Sequence, residues 1–241
     1  MSGNHAWDLD ASFAAPPPFR TSYAHLHLVP PTVHVMNGPS DLVEQLLRPP
    51  PTRSDEVANA TFVHSNCGGF RGTFMERLIH ANQMTIARYG KCWHNANIGT
   101  IEPPKPDWFY GDSQANRDGV KTLLARRHPY TFALENTISP GYVTEKRYQA
   151  LLGGSVPIIW EGSSEYLPDE DAAVRVHPND TPEDVLVKLN ERSYAERMAW
   201  KNRGIRREFV KTLFLSNDYL PCRICEYVAQ QTPTPVVFGI P

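Results

Sequence analysis

From residue 60 onward, short apolar runs alternate with stretches of helical spacing, a pattern that predicts strands and helices following one another along the chain. The clearest unit is Thr131 to Trp160, TFALENTISPGYVTEKRYQALLGGSVPIIW. Thr131 to Leu134 and Val156 to Trp160 are short and apolar, as buried parallel strands are, with Pro157 near the start of the second, where a missing donor is tolerated. Between them Val143, Tyr148, Leu151 and Leu152 fall at helical spacing, Thr144 can cap, and Gly153 and Gly154 can end the helix. This is a βαβ unit. Glu135 and Asn136 lie at the carboxyl end of its first strand, where open α/β sheets hold ligands.

A second unit precedes it. TFVHSN predicts a strand ending in polar residues, Cys67 to Gly72 a glycine-containing loop, Phe74, Leu78 and Ile79 a helical face, and Thr85 to Tyr89 another strand. Gly119 to Arg127 predicts a helix leading into the central strand, and Ala173 to His177 a further short strand. Pro182 with Glu183 and Asp184 after Asp180 or Thr181 marks the start of a helix running to about Asn190. Ser193 with Glu196 has capping-box spacing ahead of a longer helix carrying Met198, Ile205, Phe209 and Phe214. Residues 1 to 58 are proline-rich and predict extended connections, apart from a short helix around Leu42, Val43, Leu46 and Leu47. The division is therefore a proline-rich region at 1–58, an α/β domain at 59–230 and a tail at 231–241.

Composition adds limits. A net charge of −2 over 241 residues, with 41% hydrophobic residues, gives nucleic-acid binding no bulk support. No window approaches the roughly 18 to 20 apolar residues of a membrane span, and residues 1 to 20 lack a signal-peptide pattern, so any anchor of the full protein is expected elsewhere. The four cysteines are Cys67, Cys92, Cys222 and Cys225. A Cys-x-x-Cys spacing fits a zinc half-site, a redox pair or a short disulfide, and spacing alone leaves these open.

ENTISPGYVTEK followed by ALLGGSVPIIWEGSSEYLP resembles the donor-binding signature of the α1,3/4-fucosyltransferases, glycosyltransferase family 10. HSNCGGFRGTFMERL resembles the family's Ser-Asn…Arg segment, with the spacing from Asn66 to Arg71 one or two residues shorter. PCRICEYV resembles the C-terminal Cys-x-x-Cys of many eukaryotic members, which implies a Cys222–Cys225 disulfide, with Cys67–Cys92 as a second bridge. The resemblance implies a Rossmann-like parallel sheet with flanking helices, the donor-binding half of a GT-B glycosyltransferase, with the N-terminal acceptor domain largely missing from this chain.

The implied reaction is an inverting transfer of L-fucose from GDP-fucose to an N-acetylglucosamine or glucose unit of a glycan, in a Golgi-lumenal setting and with no cofactor beyond the donor substrate. The resemblance implies donor-binding roles for Asn136, Tyr142, Glu145 and Lys146, and for Glu135 and Arg71. Read as chemistry, Lys146 and Arg71 are cations able to meet a departing diphosphate if the two βαβ units are neighbours in one sheet; their plain alternative is a solvated helix start. Glu145 fits a sugar-hydroxyl acceptor or an acid favoured by the helix dipole. Tyr142 fits a donor contact or a loop staple. Glu135 and Asn136 fit donor contacts or ties within the loop.

The catalytic base stays unassigned, because Glu44 and Glu56, the glutamates upstream, lack the expected surroundings. Asp8 and Asp10 match the Asp-x-Asp of metal-dependent transferases but follow no apolar run, and Asp169-Glu170-Asp171 reads as a solvated loop, so no metal is expected. Asn59-Ala60-Thr61 and Asn179-Asp180-Thr181 are formal glycosylation sequons, the second disfavoured by Pro182. Two other functions compete: a donor-binding remnant without catalysis, and a GT-B transferase using another nucleotide sugar. For the cysteines, mass spectrometry of non-reduced peptides should find Cys222 joined to Cys225; bound zinc at one equivalent overturns that pairing.

Overall fold

The computed structural model describes residues 46–50, 59–97, 114–138, 143–161 and 167–203. In chain order these form β1 (Ala60–His64), α1 (Gly69–Ala81), β2 (Ile86–Gly90), α2 (Gln114–Arg127), β3 (Tyr130–Phe132), α3 (Glu145–Leu152), β4 (Val156–Trp160), β5 (Val174–Val176), α4 (Pro182–Asn190), α5 (Tyr194–Met198) and α6 (Trp200–Arg203). The strands make one sheet in the order β2-β1-β3-β4-β5, every neighbouring pair parallel. The chain thus runs outward from β1 to β2, crosses back to β3, and then continues the other way. Between β1 and β3 the direction of winding reverses, and the loops leaving those two strands part from each other. A crevice forms there in doubly wound sheets.

Both faces of the sheet are covered, which is why the strands read as continuous apolar runs. On one face Phe74, Met75 and Leu78 of α1 and Val185 and Leu189 of α4 pack with Phe62, Phe132, Ile158 and Val174 of the strands. On the other, Leu124 of α2 packs with Ala87 and Tyr89. Every residue of β4 is buried. Pro157 is tolerated within it because Val156 donates toward β3, to the Pro129 carbonyl, while pairing with β5 begins only at Ile158. The absent N–H therefore faces the side where no ladder bond is due.

α2 and α3 lie close on the second face, and Gly153 makes that approach possible: a Cβ there would sit 2.7 Å from the Thr122 carbonyl oxygen. α4 starts with a full capping box, Thr181 with Asp184, and α5 with another, Ser193 with Glu196. The expected longer helix after Ser193 is instead broken at Ala199, whose N–H turns back to the Glu196 carbonyl in a tighter three-residue step. The central strand is Tyr130–Phe132 in place of Thr131–Leu134, one residue earlier and one shorter, so Ala133 and Leu134 join the loop. Ile205, Phe209, Phe214, Leu42 and Val43 lie outside the described residues, whereas Leu46 is fully buried.

Cys67 and Cys92 are joined in a disulfide that ties the loop after β1 to the segment after β2. α1 enters beneath this bridge through Gly72, where a Cβ would lie 1.9 Å from the Cys67 carbonyl oxygen. Gly72→Ala should therefore lower stability by at least about 3 kcal/mol, the upper end of overpacking costs. Gly68→Ala, whose Cβ would meet nothing nearer than 3.8 Å, should be close to neutral. Urea unfolding of the two variants against the parent chain measures the contrast.

Candidate functional site at the ends of β1 and β3

Leaving β1, the chain turns through Asn66, Cys67 and Gly68 before α1 begins. The Asn66 side chain accepts from the Gly68 N–H at 3.3 Å and shapes that turn. Arg71, in the first turn of α1, is only 3% exposed. Its guanidinium donates to the Asn66 carbonyl at 3.0 Å and, across the crevice, to the Leu134 carbonyl at 3.2 Å. A solvated helix-start arginine is thereby excluded: Arg71 fastens the loop after β1 to the loop after β3.

Glu135, just past β3, is 4% exposed and has its carboxylate fully engaged. It accepts from the Thr144 N–H at 2.7 Å, from the Thr144 hydroxyl at 2.8 Å and from the Lys146 ammonium at 3.1 Å. Its carbonyl accepts from the Trp160 indole N–H at 2.9 Å. Thr144 does occupy the cap position of α3, but its hydroxyl makes no cap bond and turns to Glu135 instead. The carboxylate nine residues upstream has taken over the capping task, a favourable place for negative charge.

Lys146 also donates to the Thr144 hydroxyl at 2.7 Å and lies 3.6 Å from Glu145, which in turn pairs with Lys121 of α2 at 3.5 Å. Burial pushes the Glu145 carboxyl up, but Lys146 and then Lys121 outweigh it and hold it below the usual carboxylate range. Lys121, and His64 at the end of β1, were not singled out from sequence. Burial first, then Arg71 and Lys146, hold the His64 imidazole well below its ordinary value, against an opposing hydrogen bond to the Phe132 carbonyl.

Asn66, Gly68, Gly69, Phe70, Arg71 and Asn136 line an open cavity of ≈ 200 Å³ at this crevice. Asn136 is exposed on its rim. Phe70 is 39% exposed, with its ring 5.3 Å from Trp160. α1 opens on the cavity with Gly68 at its cap position, no side-chain cap bond and no acid in its first turn. α4 and α5, away from the crevice, both begin with acids. Of the residues expected at the site, Arg71, Glu135, Asn136, Glu145 and Lys146 come together; Tyr142 lies outside the described residues, as do Cys222, Cys225, Glu44, Glu56, Asp8 and Asp10.

Asp169 and Asp171 are taken up by ion pairs to Arg203 and Arg192. The Asn59 side chain accepts from the Thr85 N–H, and at the second sequon the Thr181 hydroxyl belongs to the α4 cap. Among the described residues, no helix is long and apolar enough to cross a membrane.

Residues 53–239 match the family described as glycosyltransferase family 10 (fucosyltransferase), C-terminal. The chain belongs to that family. Among curated proteins, a fucosyltransferase-like protein of Arabidopsis thaliana is 27% identical over 195 residues, covering 76% of this chain and 34% of the relative. GDP-fucose protein O-fucosyltransferase 3 of Danio rerio is 28% identical, covering 61% of this chain and 32% of the relative. An α-(1,4)-fucosyltransferase of Arabidopsis thaliana is 32% identical, covering 59% and 38%. The chain thus spans about a third of the length of these relatives. A crystal structure of an α1,3-fucosyltransferase with GDP-fucose superposes with a TM-score of 0.48 at 19% identity, over 74% of this chain and 50% of that one.

The family member's site is held together at Glu135. Glu135→Ala should cost about 2–4 kcal/mol of stability, because it leaves the Thr144 N–H and the Lys146 ammonium without their buried acceptor. Asn136→Ala, on the exposed rim, should change stability by no more than about 0.5 kcal/mol. Thermal and urea unfolding of both variants give the comparison.

Proposed function

We propose that this chain is the donor-binding part of an inverting fucosyltransferase that takes GDP-fucose and transfers L-fucose to a sugar hydroxyl of a glycan, with α1,3 transfer to N-acetylglucosamine or glucose as the leading linkage. The observation that carries the proposal is the concentration of positive potential at one switch point: Arg71, Lys146 and the acid-free amino end of α1 meet where the loops after β1 and β3 part. A departing nucleoside diphosphate gathers negative charge as the glycosidic bond breaks, and preformed cations and helix N–H groups stabilise that charge without reorganising. Family membership supplies the substrate class.

In this reading the diphosphate lies over the start of α1, with Arg71 beneath it and Lys146 beside it. Asn136 and Tyr142 contact the donor, and Glu145 accepts from its sugar hydroxyls. Glu135 acts through Lys146, whose ammonium it orients. A base outside the described residues removes the acceptor proton, the hydroxyl oxygen attacks the anomeric carbon from the opposite face, and GDP leaves with the bonding pair. The named relatives include an α-1,4 transferase and protein O-fucosyltransferases, so acceptor assays should span glycans and folded protein domains.

The site needs no divalent metal in this reading, because fixed cations occupy the place a metal would take. The division into a proline-rich 1–58, a donor domain at 59–230 and a tail belongs to the same proposal. So does a Golgi-lumenal location, with which the Cys67–Cys92 disulfide agrees, since such bonds persist in oxidising compartments.

Calorimetric titration with GDP in the presence of chelator is the test. Binding that appears only after manganese is added overturns the metal-free reading. Lys146→Ala should weaken GDP binding about tenfold to a hundredfold, the range for a lost charge-assisted contact. Lys188→Ala removes the same charge from α4, where it pairs with Asp180 at 2.6 Å far from the crevice, and should leave affinity unchanged. Equal affinities for the two variants remove Lys146 from the site.

A further inference from the structure

His64 ends β1 two residues ahead of Asn66, and none of the roles above uses it. It is 7% exposed, its ring centroid 4.2 Å from that of Phe62. Its position is fixed from both sides: its carbonyl accepts from the N–H groups of Lys91 and Cys92 at 3.1 and 3.2 Å, and its ring hydrogen-bonds to the Phe132 carbonyl of β3. The charged groups acting on it come from three helices, namely Arg71 of α1, Lys146 of α3 and Lys121 of α2. The carboxylates behind them, Glu135 and Glu145, are paired with the two lysines. On the β2 side its surroundings are aromatic, with Phe62 and beyond it Trp93. A titratable ring has thus been buried under the cationic side of the cavity, in the company of charges that disfavour a further proton.

We infer that His64 takes up a proton when a diphosphate anion occupies the cavity at the ends of β1 and β3, so that anion binding and protonation of this imidazole are one coupled event. The inference rests on the donor-site reading for where the anion lies, and extends it by making a buried histidine part of the electrostatics that hold the donor. In the empty site three cations face two carboxylates around this ring. A nucleoside diphosphate sugar brings two negative charges and reverses that balance, while the hydrogen bond to the Phe132 carbonyl already favours the imidazolium. Burial alone then remains to oppose the proton.

The direction with pH follows. The imidazole of the empty site titrates well below 6.5, with burial as the first cause and Arg71 and Lys146 next, and that of the occupied site titrates higher. Above the higher value neither form carries the proton, and affinity is flat. Between the two values, affinity rises by up to about tenfold per unit fall in pH; below the lower value it is flat again.

GDP-fucose is the right probe, because its diphosphate is esterified at both ends and does not titrate in this range, whereas GDP does. Calorimetry at about pH 6 in buffers of differing ionisation enthalpy should show proton uptake on binding, and affinity should rise at least about threefold between pH 7.5 and 5.5. Both effects should disappear in His64→Gln, which keeps a donor for the Phe132 carbonyl. Binding by the wild-type chain without proton uptake overturns the inference alone, as does uptake that persists unchanged in His64→Gln. Failure of GDP-fucose to bind at every pH overturns the donor-site reading together with it. If His64→Gln does not fold, the Cε1–H resonance of His64 in the wild-type chain decides: it moves to the imidazolium position when GDP-fucose is added at about pH 6, or it stays and the inference falls.

Discussion

The described part of the molecule depends on one buried carboxylate. Glu135 sits where β3 ends, and its oxygens gather the amino end of α3 and the Lys146 ammonium, while its carbonyl takes the indole N–H from the end of β4. A charge this deep is costly unless every lone pair is used. Meeting that demand fixes the angle at which α3 leaves the sheet, the rotamer of the lysine and the position of Trp160 together. Phe74 and Phe70 then pack on the indole, so the wall of the cavity inherits its position from the same anchor.

Arg71 performs the corresponding task from the other side of the crevice. Its two carbonyl acceptors belong to segments more than sixty residues apart in sequence, one after β1 and one after β3. The reversal of winding between these strands opens the crevice, and the guanidinium limits how far it opens. The groups best suited to holding a diphosphate are thus also the groups that hold the site's own backbone. Such a site is preorganised: little ordering remains to be done when an anion arrives.

How far this could be read from the residues follows from the range of the forces involved. β4 and α4 were placed to the residue, because a strand bounded by glycines and prolines and a helix started by Thr181-Pro182 carry local punctuation. The strand before α3 was misplaced by a residue at its start, since three residues of strand carry almost no periodicity. Convergence of Arg71 and Lys146 was conditional on strand order, which no local pattern encodes. Glu135 was visible as an acid at a strand end, yet its partners lie nine, eleven and twenty-five residues on, and only the folded sheet assigns it to capping. His64 was hidden in an apolar run, where a histidine reads as one more core residue. Lys121 stood on a predicted helix with nothing to reveal that α2 and α3 would touch.

The Cys67–Cys92 bridge encloses little more than α1 and the turn into β2, so it is a tie within one βαβ unit and leaves the rest of the described sheet uncrossed. Its main energetic effect therefore falls on the unfolded chain. Closing a loop with this sequence separation of 25 removes disorder worth about 3.5 kcal/mol on a chain-entropy estimate. Even fully denatured, the oxidised polypeptide keeps the ends of β1 and β2 within reach of each other, and the longest excursions open to the first crossover are forbidden before any hydrogen bond has formed. Redox state thus sets the size of the ensemble from which this half of the crevice must be found.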